Sequence, residues 1–157
     1  MAFDKTIPKT SHPLYNTWRM ILTRCYDTKY DRAETYRLKG IIVCDRWKDE
    51  EEGFKSFVED MGDKPSPTHT VDRIDSQGNY TPDNCRWASK TLQALNHSPH
   101  KNSKIGLMGV QKHGERYRAR TNYKRKRIHI GVFDTAELAH EAYKEVLATL
   151  IEKELAV

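Results

Sequence analysis

Apolar side chains change their spacing along this chain, and the change divides it. Over residues 13 to 26, Leu14, Trp18, Ile21, Leu22 and Cys25 recur at the period of one helix face, which predicts an amphipathic helix ending near Asp27. An irregular charged stretch follows, after which Lys39-Gly40 turns into Ile41-Ile42-Val43-Cys44, a β-branched run suited to a short buried strand. From Glu50 to Met61, Phe54, Phe57, Val58 and Met61 share a helical face that Gly62, Pro65 and Pro67 close. Residues 69 to 75 read as a strand and 76 to 80 as a glycine-containing loop. Thr81-Pro82 reads as an N-cap followed by proline at the first position of a short helix holding Asn84. Another brief helix is expected from Ser89 to Asn96, with Leu92 and Leu95 inward.

The polar, proline-containing octet from His97 to Lys104 breaks the helical pattern, and beyond it the period becomes two. Tyr117, Ala119 and Thr121 alternate with Arg118, Arg120 and Asn122; after a Lys124-Arg125-Lys126 turn, Ile128 and Ile130 alternate with Arg127 and His129. Asp134 and Glu137 form a capping pair for a helix over about 135 to 155. Its Ala139, Ala142, Tyr143, Val146 and Leu150 make a stripe fit to cover the apolar side of a sheet. The expected fold is α+β, with a first region at 1–97, a basic linker at 98–104, and a small three-stranded antiparallel sheet on one helix at 105–157.

With 37% hydrophobic and 31% charged residues, the 157-residue chain has the composition of a soluble globular protein. No apolar stretch is long enough to span a bilayer and the first thirty residues lack a signal-peptide core, so the expectation is a cytoplasmic protein with no membrane partner. Three dispersed cysteines, Cys25, Cys44 and Cys85, agree with a reducing compartment. Net charge is +5, and between Lys101 and Ile130 ten Lys or Arg face a single acid, Glu115. Such a concentration points to a polyanion.

A sheet with one face on a helix shows its other face to solvent. Here that face carries Arg118, Arg120, Asn122, Arg127 and His129, residue types that bind phosphates and base edges in the major groove of double-stranded DNA. The bland alternative is a basic face that only keeps the protein soluble. Lys101 and Lys104 of the linker would add salt-dependent affinity along the DNA backbone. In the first region, Asp72 and Asn84 are hard oxygen ligands twelve residues apart, suited to one Mg²⁺ or Mn²⁺, with Asn79 holding the loop between them. The competing reading makes Asp72 and Asp75 strand-end and turn residues and Asn84 a cap. Cys25, Cys44, Cys85 and His12 contain no CxxC pair, so buried apolar thiols outweigh a structural Zn²⁺ site. Trp18, Trp47 and Trp87 each lie beside apolar or helix-face positions and are expected in the core.

Two resemblances bear on these readings. Gly109-Val110-Gln111, Tyr117-Arg118-Ala119-Arg120 and the run from Arg127 to Ala139 resemble the APETALA-type, or ethylene-response-factor, DNA-binding domain over about residues 104 to 150. That likeness implies three strands in the major groove and contacts from Gln111, Arg118, Arg120, Asn122, Arg127 and His129. Gln111 stands where the family usually has Arg, and Tyr117 and His129 where tryptophans are common, so the family's base preference does not carry over.

Val71-Asp72-Arg73-Ile74-Asp75, with Asn79 and Asn84-Cys85-Arg86-Trp87, resembles the HNH, or ββα-metal, nuclease motif of phage-type homing endonucleases. Tyr15, Trp18, Ile21, Arg24-Cys25 and the run from Gly40 to Trp47 extend the likeness over about 12 to 97. The resemblance implies a metal-dependent DNA endonuclease in a phage-infected or bacterial cell, with Asp72, Arg73, Asn79 and Asn84 catalytic and Asp72 and Asn84 on the metal. The family places its histidine base directly after the acid, where this chain has Arg73. Arginine stays protonated and is a poor base. It could instead neutralise charge on the scissile phosphate. His69 is four residues from Arg73, roughly 13 Å along an extended strand, and His12 is the other candidate base. Nuclease and non-catalytic DNA-binding regulator both remain open at this point.

Overall fold

Helix α1, Tyr15–Tyr26, buries Trp18, Ile21 and Cys25 and stops at Asp27, whose backbone turns to an extended conformation. It opens the first of two units, 1–89 and 90–157, in a computed structural model that describes residues 8–31, 33–96 and 105–156. The charged stretch that follows holds a six-residue helix, α2 (Ala33–Leu38), too short to leave a periodic signature. The expected strand at 41–44 does not form a ladder. Val43 makes an isolated parallel bridge to Tyr80, the Ile42 N–H is taken by the Asn79 side chain at 3.1 Å, and the Cys44 N–H is taken by the Tyr80 carbonyl at 3.0 Å. The run is buried at Ile41 and Val43 because the loop before Tyr80 supplies its hydrogen bonds, leaving no second strand to pair.

Helix α3 (Asp45–Lys48) and helix α4 (Gly53–Met61) meet closely, since a Cβ on Gly53 would lie 2.6 Å from the Trp47 carbonyl oxygen. Gly62, at φ +60, ends α4 as the sequence predicts. The core of this unit gathers Trp47, Phe54 and Phe57, all at 0% exposure, with Leu14, Trp18, Ile21, Val43 and Val58. Burial of each large side chain stabilises by about 2–3 kcal/mol. All three tryptophan N–H groups are satisfied inside the unit: Trp18 by the Trp47 carbonyl (2.8 Å), Trp47 by Asp60 (2.7 Å) and Trp87 by the Met61 carbonyl (2.8 Å). Strands β1 (Thr70–Arg73) and β2 (Cys85–Ala88) form an antiparallel hairpin with Asp72 opposite Arg86 and Arg73 opposite Cys85. Between them, Thr81 caps the 3₁₀ turn Pro82–Asn84 by accepting the Asn84 N–H.

In the second unit, helix α5 (Lys90–Leu95) packs with the later helix and sheet. Strands β3 (Val110–His113), β4 (Arg116–Tyr123) and β5 (Lys126–Phe133) form one antiparallel sheet in sequence order, and α6 (Ala136–Leu155) covers one face. The core is Val110, Ala119, Ala136, Ala139 and Tyr143, flanked by Tyr117, Ile130 and Phe133. The cap of α6 is Thr135, whose hydroxyl accepts the Leu138 N–H at 3.2 Å. Asp134, expected in that role, instead pairs with Arg116 at 2.8 Å.

Strict alternation also fails once. Ala119 pairs with Gly131 and Arg120 with His129, so Ile130 is an extra residue. The bulge lets Ile130, Gly131 and Phe133 all serve the helix side and turns Val132 outward. The β4–β5 turn places Lys124 (φ +47) and Arg125 (φ +65) in the left-handed region, where a two-residue hairpin usually has Asn-Gly. Arg125→Gly is therefore expected to raise the stability of the sheet by about 1 kcal/mol, read as a higher midpoint in urea unfolding. An unchanged midpoint would mean that the arginine side chain offsets the backbone cost.

Candidate functional site

The β3–β4–β5 register decides which side chains share the face opposite α6. Gln111 lies beside Arg118 and Arg118 beside Val132, while Arg120 faces His129 and Asn122 faces Arg127. All six groove residues expected from the sequence, Gln111, Arg118, Arg120, Asn122, Arg127 and His129, thus stand on one side of one sheet. His113 and Arg116 join them by the same register, although Arg116 is engaged by Asp134 and the Val132 carbonyl. The signal that could have found Arg116 was present, since it continues the 118, 120, 122 alternation. Lys101 and Lys104 lie outside the described residues.

The electrostatics of this face are one-sided. The unit 90–157 carries 13 Lys or Arg against 7 Asp or Glu, whereas 1–89 carries 14 against 15, so the excess charge belongs to the second unit. No carboxylate among the described residues forms an ion pair with Arg118, Arg120 or Arg127. Burial of its guanidinium, together with the charges of Arg127 and Arg118, lowers the pKa of Arg120. The Arg118 Nε is buried without a hydrogen-bond partner among the described residues. An unanswered buried donor costs about 1–3 kcal/mol, and an acceptor on a bound partner would recover it.

In the first unit the four residues of the acid-and-amide motif go to separate places. Alternation along β1 sends Asp72 to one face of the hairpin and Arg73 to the other. Asp72 Oδ2 accepts from both Nε and Nη2 of Arg86 at 3.3 Å, an ion pair with both side chains about 15% exposed. Arg73 donates to the Gly78 carbonyl at 2.6 Å and lies over the rings of Tyr80 (4.9 Å) and Tyr36 (5.4 Å). Asn84 spends its amide on the loop: Oδ1 accepts the Asp75 N–H (2.8 Å), and Nδ2 donates to the Asp75 (3.1 Å) and Asn79 (2.8 Å) carbonyls. Asn79 holds the Ile42 N–H. The loop from 74 to 84 is thereby tied at its base, its middle and its neighbour.

These contacts also test the fit of a divalent ion. An ion held by Asp72 and Asn84 would need a carboxylate now bonded to Arg86 and an amide oxygen now bonded to backbone. In this arrangement the pair does not fit an ion site, and Arg86 is the neighbour that sequence reasoning missed. His69 bonds Ser66 at 2.8 Å, and His12 accepts the Leu14 N–H and packs edge-on to Phe54, which gives each a local structural partner. Cys25 and Cys85 are buried in the core; burial pushes their thiols up to about 11 and about 12, and raises Cys44 as well. Among the described residues, no helix is long and apolar enough to cross a membrane. Comparison of the chain with protein-family models, with curated proteins and with solved structures gives no match in any of the three.

Proposed function

We propose that this protein binds double-stranded DNA through the outer face of the β3–β4–β5 sheet, which is laid in the major groove. The observation that carries this reading is the trio Arg118, Arg120 and Arg127, gathered on one face with no ion-paired carboxylate among the described residues. A face built for solubility alone mixes both signs of charge, whereas arginines concentrated against their own repulsion suit a polyanion. Asn122 and Gln111 on the same face add side chains able to pair with adenine, and arginine pairs bidentately with guanine.

A second reading adds phosphodiester cutting by the first unit, as a Mg²⁺- or Mn²⁺-dependent endonuclease of the HNH type. It is favoured by the resemblance of residues 71–87 to that motif, within which Asn79 and Asn84 tie the loop after β1. It requires Asp72 to be released from Arg86. Incubation of supercoiled plasmid with the protein and Mg²⁺ or Mn²⁺ separates the two readings. Retardation without nicking is the expected result for a DNA-binding regulator; nicking that disappears in Asp72→Ala would establish the nuclease. Failure to retard duplex DNA at low salt would overturn both.

A further inference from the structure

The first unit has a cleft that none of the groups above uses. It lies between α1 and the start of β1 and encloses about 240 Å³. Ligand pockets usually begin near about 300 Å³, so its occupant is one small unit rather than an extended ligand. The floor is apolar, from Ile21 and Val71, and Met20 forms an apolar wall at 40% exposure. Asn16, Thr17 and Thr70 supply an amide and two hydroxyls at the rim. Asn16, Met20 and Arg24 follow one another at i, i+4, i+8, so a single stripe of α1 presents amide, thioether and guanidinium in a row.

Arg24 sets the chemistry of the cleft. This half-buried guanidinium has one hydrogen-bond partner among the described residues, the Tyr80 hydroxyl at a long 3.5 Å, and no carboxylate pairs with it there. Arg73 lies over the ring of the same tyrosine, so two cations converge on Tyr80. The Tyr80 hydroxyl accepts from Arg24 while its ring faces Arg73, and burial pushes that hydroxyl up to about 12. This guanidinium lines the cleft with one long side-chain hydrogen bond and no carboxylate partner among the described residues, which leaves donors able to reach an anionic ligand.

We propose that this cleft binds a single unpaired nucleotide unit, with its phosphate on Arg24 and its base against Met20, Ile21 and Val71. The unit's source is the nucleic acid held by the protein, so the inference rests on the DNA-binding reading. Apolar side chains beside polar and cationic groups are among the contacts that hold a nucleotide taken out of its stack. A nucleotide displaced from a duplex leaves its stack at a cost, and a cleft of this kind would offset part of it.

The test is a ¹H–¹⁵N NMR titration of the full chain with deoxyadenosine monophosphate, with inorganic phosphate and deoxyadenosine as separate arms. Saturable shifts at Thr17, Met20, Arg24 and Thr70 are expected, at least about tenfold weaker with either half alone, since each half forgoes about 1.4 kcal/mol or more of contact. Arg24→Gln and Met20→Glu should both abolish them. Met20 is exposed enough that its substitution leaves the fold intact, which guards against a folding artefact in Arg24→Gln. A duplex carrying a one-nucleotide bulge should bind the wild type more tightly than a perfect duplex, and that preference should vanish in Met20→Glu. No saturable shift at these residues, or inorganic phosphate matching the nucleotide, would overturn the proposal. Loss of perfect-duplex binding in sheet variants leaves the nucleotide titration unchanged, so failure of the cleft and failure of the sheet reading are distinguishable.

Discussion

Gly109→Ala is expected to unfold much of the 90–157 unit and to abolish duplex binding with it. Gly109 sits at φ +72, immediately before β3, and a Cβ placed on it would fall within the ring of Tyr143 on α6. Two costs therefore add. A non-glycine residue in the left-handed region costs about 1–2 kcal/mol, and overpacking against a buried aromatic costs about 1–3 kcal/mol or more. Tyr143 cannot swing aside cheaply, being 3% exposed and hydrogen-bonded to Thr121. The sum, about 2–5 kcal/mol or more, approaches the low end of a small domain's whole stability, about 5 kcal/mol. Gly114→Ala is the control: φ is +63, but nothing lies within 4 Å of its Cβ, so only the backbone cost applies. Thermal unfolding followed by circular dichroism should show a far larger loss for Gly109→Ala than for Gly114→Ala. Equal losses would mean that Tyr143 repacks and that the close approach carries no weight.

Arg120→Gln is expected to move stability and binding in opposite directions. In the free protein Arg120 is flanked by Arg118 and Arg127, and its depressed pKa registers burial first and their like charge second. Both Arg120 and its neighbours are protonated at neutral pH in folded and unfolded chains alike, so their repulsion opposes folding throughout the physiological range. Neutralising Arg120 should leave stability unchanged or raise it by no more than about 0.5 kcal/mol, the usual range for a surface substitution. Duplex affinity should meanwhile fall by about 1–3 kcal/mol, or roughly tenfold to a hundredfold, with the salt slope reduced by about one if the contact is to phosphate. Fluorescence anisotropy at several salt concentrations, beside urea unfolding, reads both quantities. A variant that loses stability and binding together would show that Arg120 is structural instead. The Arg118→Gln, Arg120→Gln, Arg127→Gln triple variant should lose at least about a thousandfold if the three contacts act independently.

Long periodic segments were readable from the chain because each is stabilised locally and shows one face to a core. Helices α1 and α4, strands β4 and β5 and helix α6 belong to this class, together with the tryptophans placed in the core. Short elements were readable only in part: β1, the Thr81-capped turn and α5 were, whereas α2, α3 and β2 were not. Strand β2 is four residues, Cys85 to Ala88, too brief to display a period, and it exists because β1 is there to pair with it. The run from Ile41 to Cys44 has strand composition but only one bridge, since composition does not supply a partner. The cap of α6 moved by one residue because Arg116, eighteen positions earlier, draws off Asp134.

The same division runs through the candidate sites. Alternation along β4 and β5 was enough to gather the basic residues of one face, because side-chain direction in a strand is a local property with a period of two. The bulge at Ile130 changed which residues lie beyond them without disturbing that face. The acid-and-amide motif was a different matter, since what Asp72, Arg73 and Asn84 can do depends on neighbours that only the folded chain supplies. Arg86 reaches Asp72 through strand pairing, Tyr36 and Tyr80 meet Arg73 across the unit, and Asn84 is committed to the loop that precedes it. Residue types and period, being local, told where the positive charge lies; availability of a carboxylate or an amide is set by long-range contacts, and those the tertiary structure alone decided.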